Sequence, residues 1–202
     1  MLLCWSRLCL TILLAATPVA AQTASPSPAA ETWKIDVTHS ELTFRIRHLV
    51  STVPGTFLEW GGTLHADPDH LAGGSVEVTI QTASITTRHE RRDADLRSTN
   101  FFDAASNPTI TFKSTRVEVH GKTIKLTGDL SMHGVTKPVV LEGEYNGTMG
   151  SGAQQRIGFS VAGKLNRLDW GITWNRAVEG GGMLLGDEVM LEVAISAIRT
   201  AI

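Results

Sequence analysis

Four arginines lie within ten residues of one another in the middle of the chain, at Arg88, Arg91, Arg92 and Arg97. A guanidinium group binds phosphate oxygens through two parallel hydrogen bonds, so these side chains are candidates for contacts with the pyrophosphate head group of a ligand. The alternative is a solvated helix face on which the arginines pair with neighbouring carboxylates. The sequence leaves both interpretations open.

The histidines and cysteines form no metal-binding or catalytic motif. None of the seven histidines has HxH or HExxH spacing. A GxSxG motif is absent, and both cysteines, Cys4 and Cys9, fall in the N-terminal segment. We therefore predict no metal site, no required cofactor and no enzymatic activity. A small enzyme that acts on a lipid, with His48 or His133 as the base, is the weaker alternative.

The N-terminal segment has the organisation of a secretory signal peptide. Arg7 supplies a positive charge, residues 8–16 are apolar, and residues 18–21 end in small side chains. We predict a signal peptide at residues 1–21 that is cleaved on export. Residues 22–31 are rich in Ala, Ser, Thr and Pro and predict a disordered linker. The folded domain is then expected at residues 32–202.

The overall charge argues against a nucleic-acid partner. The formal net charge is −2, and no basic run is long enough to follow a phosphate backbone. The proportions of hydrophobic and charged residues, 42% and 19%, are those of an ordinary globular protein.

Alternation of apolar and polar side chains runs through most of the remaining chain and predicts β-strands. In one clear run, Leu42, Phe44, Ile46 and His48 share one parity. Turn signals separate the runs, and they lie at residues 67–69, 120–122, 146–147 and 180–182. A bend or bulge is expected at residues 61–62, and a further strand at residues 170–174.

One stretch departs from this alternation. Thr87 and Glu90 have the spacing of a capping box, with Thr87 as the N-cap, and they predict a short helix over residues 88–97. Many strands with one helix predict an all-β fold, either a sandwich or a barrel. In a closed barrel of about eight strands, the interior is filled by side chains or holds one small ligand.

The apolar side chains, which lie on one face of each strand, point either into a packed core or into a ligand-binding lumen. For the lumen, thirteen candidates are Phe44, Ile46, His48, Val76, Val78, Ile80, Phe101, Ile110, Phe112, Leu130, Met132, Val139 and Leu141. His48 is either a core histidine with satisfied hydrogen bonds or a polar contact to a head group. Phe101 and its neighbour Phe102 are expected to plug one barrel end. Arg167 and Asp169 are expected to form a structural ion pair beside Trp170.

Four motifs together resemble the YceI-like family, and the resemblance spans residues 33–198. The motifs are residues 33–40 (WKIDVTHS), 87–103 (TRHERRDADLRSTNFFD), 130–138 (LSMHGVTKP) and 166–172 (NRLDWGI). The resemblance implies a lipocalin-like, eight-stranded antiparallel barrel with a long apolar tunnel. It also implies a periplasmic or exported protein that binds a polyprenyl or quinone-type lipid.

A periplasmic carrier of an isoprenoid lipid is therefore the expected function. The second hypothesis is an interaction partner of an inner-membrane redox protein, which would present an exposed apolar patch outside the barrel. Whether the protein forms a homodimer is left open.

Overall fold

The computed structural model describes residues 30–200, so the predicted signal peptide and nearly all of the predicted linker lie outside it. Glu31, the last residue of that linker, is the first residue of β1. The described residues form α1 (Glu90–Arg97) and the strands β1 (Glu31–Ile35), β2 (Glu41–His48), β3 (Ser51–Phe57), β4 (Trp60–Asp67), β5 (His70–Gln81), β6 (Ile85–Thr86), β7 (Thr109–His120), β8 (Thr123–Met132), β9 (Val135–Met149), β10 (Arg156–Asn166) and β11 (Leu185–Arg199).

Eight of these strands close into an antiparallel barrel, in the order β1-β4-β5-β7-β8-β9-β10-β11 and back to β1. This confirms the predicted all-β, eight-stranded barrel with one short helix. The other three strands extend the sheet outward from β11 in the order β2-β3-β6. Strand β11 serves both groups, because Ala197–Arg199 pairs with β1 and Leu185–Ala194 pairs with β2.

The alternation seen in the sequence sets the inner and outer faces of the wall. In β5, Val76, Val78 and Ile80 are buried or half-buried, while Glu77 and Thr79 between them are exposed. On the outer face, charged pairs such as Lys113 Nζ–Glu77 Oε1 at 2.7 Å join neighbouring strands. Exposed pairs of this kind contribute little stability. Burial of the apolar face is the main stabilising contribution.

Two clusters of buried side chains lie at opposite ends of the barrel. At the β1 end, Trp33 is fully buried beside Ile157 and Ala197. The indole Nε1 of Trp33 donates to the carbonyl of Ala66 at 3.1 Å, so burial leaves its polar atom satisfied. At the α1 end, the second cluster contains Ile85.

The helix begins later than the capping-box spacing predicts. Its N-cap is His89, whose Nδ1 accepts from the Arg92 backbone N–H at 3.3 Å. Arg88 has φ of 62°, so the chain turns through the left-handed region and only then enters the helix. The predicted N-cap, Thr87, therefore lies before the turn and is free to bond Asp93 instead.

Three other local expectations are wrong. Residues 146–147 lie inside β9, where a register shift against β10 absorbs the extra residue as a bulge. Residues 61–62 continue β4 in unbroken register with β5, and a Cβ at Gly62 would lie 2.2 Å from the Glu77 carbonyl oxygen. Residues 167–170 form a 3-10 turn, and the chain to Trp174 is irregular. The expected turns at 67–69, 120–122 and 180–182 are present.

Candidate ligand-binding cavity

The barrel encloses a cavity of about 680 Å³ whose wall consists mostly of apolar side chains. All thirteen residues predicted to face a lumen line it: Phe44, Ile46, His48, Val76, Val78, Ile80, Phe101, Ile110, Phe112, Leu130, Met132, Val139 and Leu141. Their contact with a ligand stays a prediction. The volume falls within the ~300–1,000 Å³ of typical small-molecule sites.

The outer ends of two phenylalanine rings lie over glycines of neighbouring strands, in space that a larger residue would fill. A Cβ at Gly55 would lie 2.2 Å from the ring of Phe44, and a Cβ at Gly128 would lie 2.4 Å from the ring of Phe112. Such stacking of an aromatic ring on a strand glycine protects the exposed backbone. The glycines thus contribute to the width of the hollow.

The mouth of the cavity lies between α1 and the β2–β3 hairpin. His48 and Val53 line it from the hairpin, while His89, Arg91 and Arg92 line it from the start of the helix. Most of the polar groups of the wall are here, and two of the four predicted arginines are among them. This arrangement places cationic side chains where the head of a ligand would lie if its tail filled the barrel.

The other two predicted arginines are placed differently. Arg88 is exposed and does not belong to the cavity wall. Arg97 donates from Nε to the Ala83 carbonyl at 2.7 Å and from Nη2 to the Ile85 carbonyl at 2.8 Å. Arg97 therefore fastens the helix to the segment around β6 and does not reach the cavity.

Asp93 holds the first turn of α1 in place from the inside. It is buried and accepts hydrogen bonds from the Thr87 backbone N–H at 2.8 Å and the Thr86 hydroxyl at 2.9 Å. Burial is the largest single influence and raises the pKa of Asp93, but the bonds from Thr87 and Thr86 together outweigh it and lower the pKa. Arg92 joins this group, because its Nε donates to the Thr87 hydroxyl at 2.6 Å.

Comparison with known proteins decides the family. Residues 33–197 match the sequence model of the YceI-like domain. This chain belongs to the YceI-like family. Protein YceI of Escherichia coli is 40% identical over 153 residues, which cover 72% of this chain and 78% of that protein.

Two solved structures share the fold of this YceI-like protein. The YceI protein of Campylobacter jejuni has a TM-score of 0.64 and 29% identity, with coverage of 82% of this chain and 96% of the other. A polyisoprenoid binding domain from Saccharophagus degradans has a TM-score of 0.61 and 14% identity, with coverage of 83% and 98%. At 14% identity, the second likeness shows the fold alone.

Aromatic side chains cluster at the α1 end of this YceI-like barrel. Phe101 is buried with its ring centroid 5.1 Å from that of Trp174, and Phe102 meets Phe57 edge-on at 6.1 Å. Phe57 in turn lies 5.9 Å from Phe44. Both Phe101 and Phe102 are part of the cavity wall, and that they plug the barrel end stays a prediction.

Arg167 has a different ion-pair partner from the one expected. Its Nη2 lies 2.9 Å from Asp187 Oδ1, whereas Asp169 lies 3.6 Å from Lys137 Nζ. The buried guanidinium also donates to the carbonyls of Gly186 and Trp174, each at 3.0 Å. Because its donors are occupied by the protein, Arg167 fixes the irregular segment before β11 and has little capacity left to bind a ligand.

The two histidines considered as catalytic bases differ in position. His48 lines the cavity, whereas His133 lies outside the wall and its Nδ1 contacts the Trp170 carbonyl at 2.9 Å. Among residues 30–200, no group of three or more His, Cys, Asp or Glu side chains could hold a metal ion. No helix in that range has the length and apolar character needed to cross a membrane.

Part of the cavity wall was missing from the sequence-based prediction. The residues concerned are the inward-facing ones of β10 and β11, namely Phe159, Val161, Leu165, Val189, Leu191, Val193 and Ile195. The same alternation of apolar and polar residues marks these strands, so the signal was available in the sequence.

Proposed function

We propose that this protein binds and carries an isoprenoid lipid of the polyprenyl or quinone type, with the tail in the barrel and the head at the mouth. The observation that carries this proposal is the long apolar hollow, whose polar side chains gather mainly beside α1. The name of the Saccharophagus degradans neighbour, a polyisoprenoid binding domain, supports the same ligand class.

The energetics favour a neutral tail. Each buried methylene contributes about 0.8 kcal/mol, so a tail of about twenty carbons contributes roughly 16 kcal/mol. Association costs about 4–15 kcal/mol in lost freedom and ordering. A chain of several isoprene units therefore binds without any charged contact. His48, Arg91 and Arg92 at the mouth would then select among head groups. An anionic head is favoured by Arg91 and by the remaining N–H groups of Arg92, whose Nε and Nη2 donate to Thr87.

A pair of neighbouring substitutions tests the site. Val78 lines the cavity, and Thr79 next to it is exposed on the outer face of the same strand. We expect V78R to abolish retention of prenyl lipid, because a guanidinium in the apolar hollow must be hydrated, while T79R retains the lipid as the wild type does. Native mass spectrometry of protein purified from its own cell envelope measures the bound lipid, and circular dichroism checks that both variants fold. Equal lipid retention by folded V78R and T79R would refute this site.

We further propose that the carrier works without chemical turnover. The neighbour from Saccharophagus degradans is named as a binding domain, which supports binding without turnover. Of the two candidate bases, only His48 lines the cavity, so it is the residue to test. Incubation with the bound lipid followed by mass analysis should return the lipid unchanged. A product that disappears in His48→Ala would instead establish an enzyme.

We propose a periplasmic location on the basis of the N-terminal sequence. Cell fractionation should recover the protein in the periplasm, with an N-terminus near residue 22. Recovery of the uncleaved chain in the cytoplasm would contradict this location.

Contact with a membrane protein is a second candidate function, favoured by exposed apolar side chains beside the mouth. Leu49, Val50 and Met183 are 40%, 104% and 45% exposed, and the Leu49 N–H donates to the Leu184 carbonyl at 2.9 Å, which joins the hairpin tip to the glycine-rich loop. A photo-crosslinker at Val50 in living cells should identify an inner-membrane redox protein. Crosslinks to lipid only would exclude this function.

A further inference from the structure

The barrel wall has a seam between β5 and β7. These strands pair only from Glu77–Lys113 to Gln81–Thr109. Beyond this point β5 stays paired with β4, and β7 stays paired with β8 on both sides of a bulge at Thr115. At the end of the paired part, the Val76 N–H donates to the hydroxyl oxygen of Ser114 at 2.9 Å. A side chain therefore takes the place of the next ladder bond, and the two hairpins diverge.

The cavity wall extends to this seam. Its wall includes Leu71 and Gly74 from β5 and Val117 from β7, which come from the two separated strands. It also includes His65 and Ser75, which are exposed and lie opposite each other on the outer face of the β4–β5 hairpin. Residues of the outer face thus border the cavity beside the part of β5 and β7 that is not paired.

The seam lies at the far end of the barrel from the arginines at the mouth. Its inner edges carry Leu71, Val76 and Val117, so they suit hydrocarbon. The ten residues of β8 rise about 3.3 Å each and tilt by about 40°, so the interior spans roughly 25 Å along the barrel axis. A longer extended chain has to fold back inside the barrel or leave it.

We propose that the seam is a second ligand subsite, through which the end of an isoprenoid chain longer than the interior leaves the barrel. This inference rests on the proposed function. It predicts that the protein accepts long chains because its hollow is open at both ends. Chain length is then limited at the seam and not by the cavity volume.

A disulfide across the seam tests this subsite. Ser75 and Thr115 face each other across the start of the seam if the β5–β7 register is continued, with Thr115 as the bulged residue of β7, and both residues are exposed. We use S75C/T115C in a background where Cys4 and Cys9 are replaced by alanine. The matched control is T79C/T111C, which joins two residues that already pair across the closed part of the ladder. V117W, which places a large ring at the seam without a crosslink, is a second variant.

Binding is measured with prenyl alcohols that fit inside the barrel and with others that exceed its length. For oxidised S75C/T115C and for V117W, we expect the affinity for the long chains to fall at least tenfold more than the affinity for the short chains. Reduction should restore long-chain binding in S75C/T115C, and T79C/T111C should bind both lengths in either state. Unchanged long-chain binding in the closed variants would overturn the subsite. If the wild type binds no chain of any length, the proposed function itself fails, and the subsite with it.

Discussion

Single glycines set how much room the hollow has for a ligand. All three atoms nearest to a Cβ at Gly55 belong to the ring of Phe44, whereas a Cβ at Gly128 would also meet the Lys113 carbonyl oxygen at 2.6 Å. A side-chain ring can turn away from an added methyl group, but the backbone of a paired strand cannot easily move. The same substitution therefore has different consequences at the two positions.

We expect Gly55→Ala to reduce ligand affinity about tenfold, because the displaced Phe44 ring enters the cavity. The loss of folding stability should stay near the lower end of the ~1–3 kcal/mol typical of overpacking. Lipid loading and urea unfolding measure the two effects. Gly61→Ala is the matched control, since nothing lies within 4 Å of a Cβ there. Equal affinities of these two variants would show that the Phe44 ring does not adjust as described.

At the scale of elements, Asp36 fixes the break between β1 and β2. Its carboxylate accepts from the Thr38 hydroxyl at 2.6 Å and from Arg156 of β10 at 2.7 Å, and it contacts His39 Nδ1 at 2.8 Å. The bonds from Thr38, then Arg156, hold the pKa of Asp36 well below its usual range. The ionised carboxylate is therefore stabilised in the folded protein.

This lowered pKa predicts a pH-dependent contribution to stability. In the unfolded chain, Asp36 titrates near its ordinary pKa of about 3.9. Because the folded pKa is lower, the contribution is fully present above about pH 4 and is lost as pH falls toward the folded pKa. The difference in free energy of unfolding between wild type and Asp36→Asn should thus be constant from pH 5 to 7 and shrink below pH 4. A difference that does not change with pH would contradict this account.

At the scale of the whole molecule, the hollow lowers stability when it is empty, because its lining atoms lack packing partners. A ligand that binds only the folded state stabilises it by about 2.7 kcal/mol at a concentration one hundred times Kd. We expect prenyl alcohols to raise the Tm of the wild type and of T79R in proportion to the logarithm of concentration. V78R should show no such rise. Identical shifts in all three proteins would place the ligand outside the barrel.

Features that depend on neighbouring residues along the chain, such as the inner face of a strand, were predicted correctly from the sequence. Contacts between distant segments were not. Alternation assigned Val78 and Leu130 to the inner face, because strand parity is a local property. The partner of Arg167 was missed, since Asp187 is brought near only by the irregular chain between them. Likewise, Asn146-Gly147 is a sequence typical of a turn, but it forms a bulge within β9 because β10 pairs with β9 on both sides of it. The seam could not be foreseen, as it depends on where two hairpins part.

Strand β11 belongs both to the closed barrel and to the three-stranded extension at the mouth, so the two parts can be considered separately. Strands β2, β3 and β6 are joined to β11 and to one another, and the closed circuit of eight strands runs through β1 without them. The bonds that hold this three-stranded flap, from β2 to β11 and from Arg97 to the β6 segment, lie outside the circuit, so their loss would leave the closed barrel intact. Entry of a lipid from this side would then require local opening of the flap and no unfolding of the eight-stranded barrel.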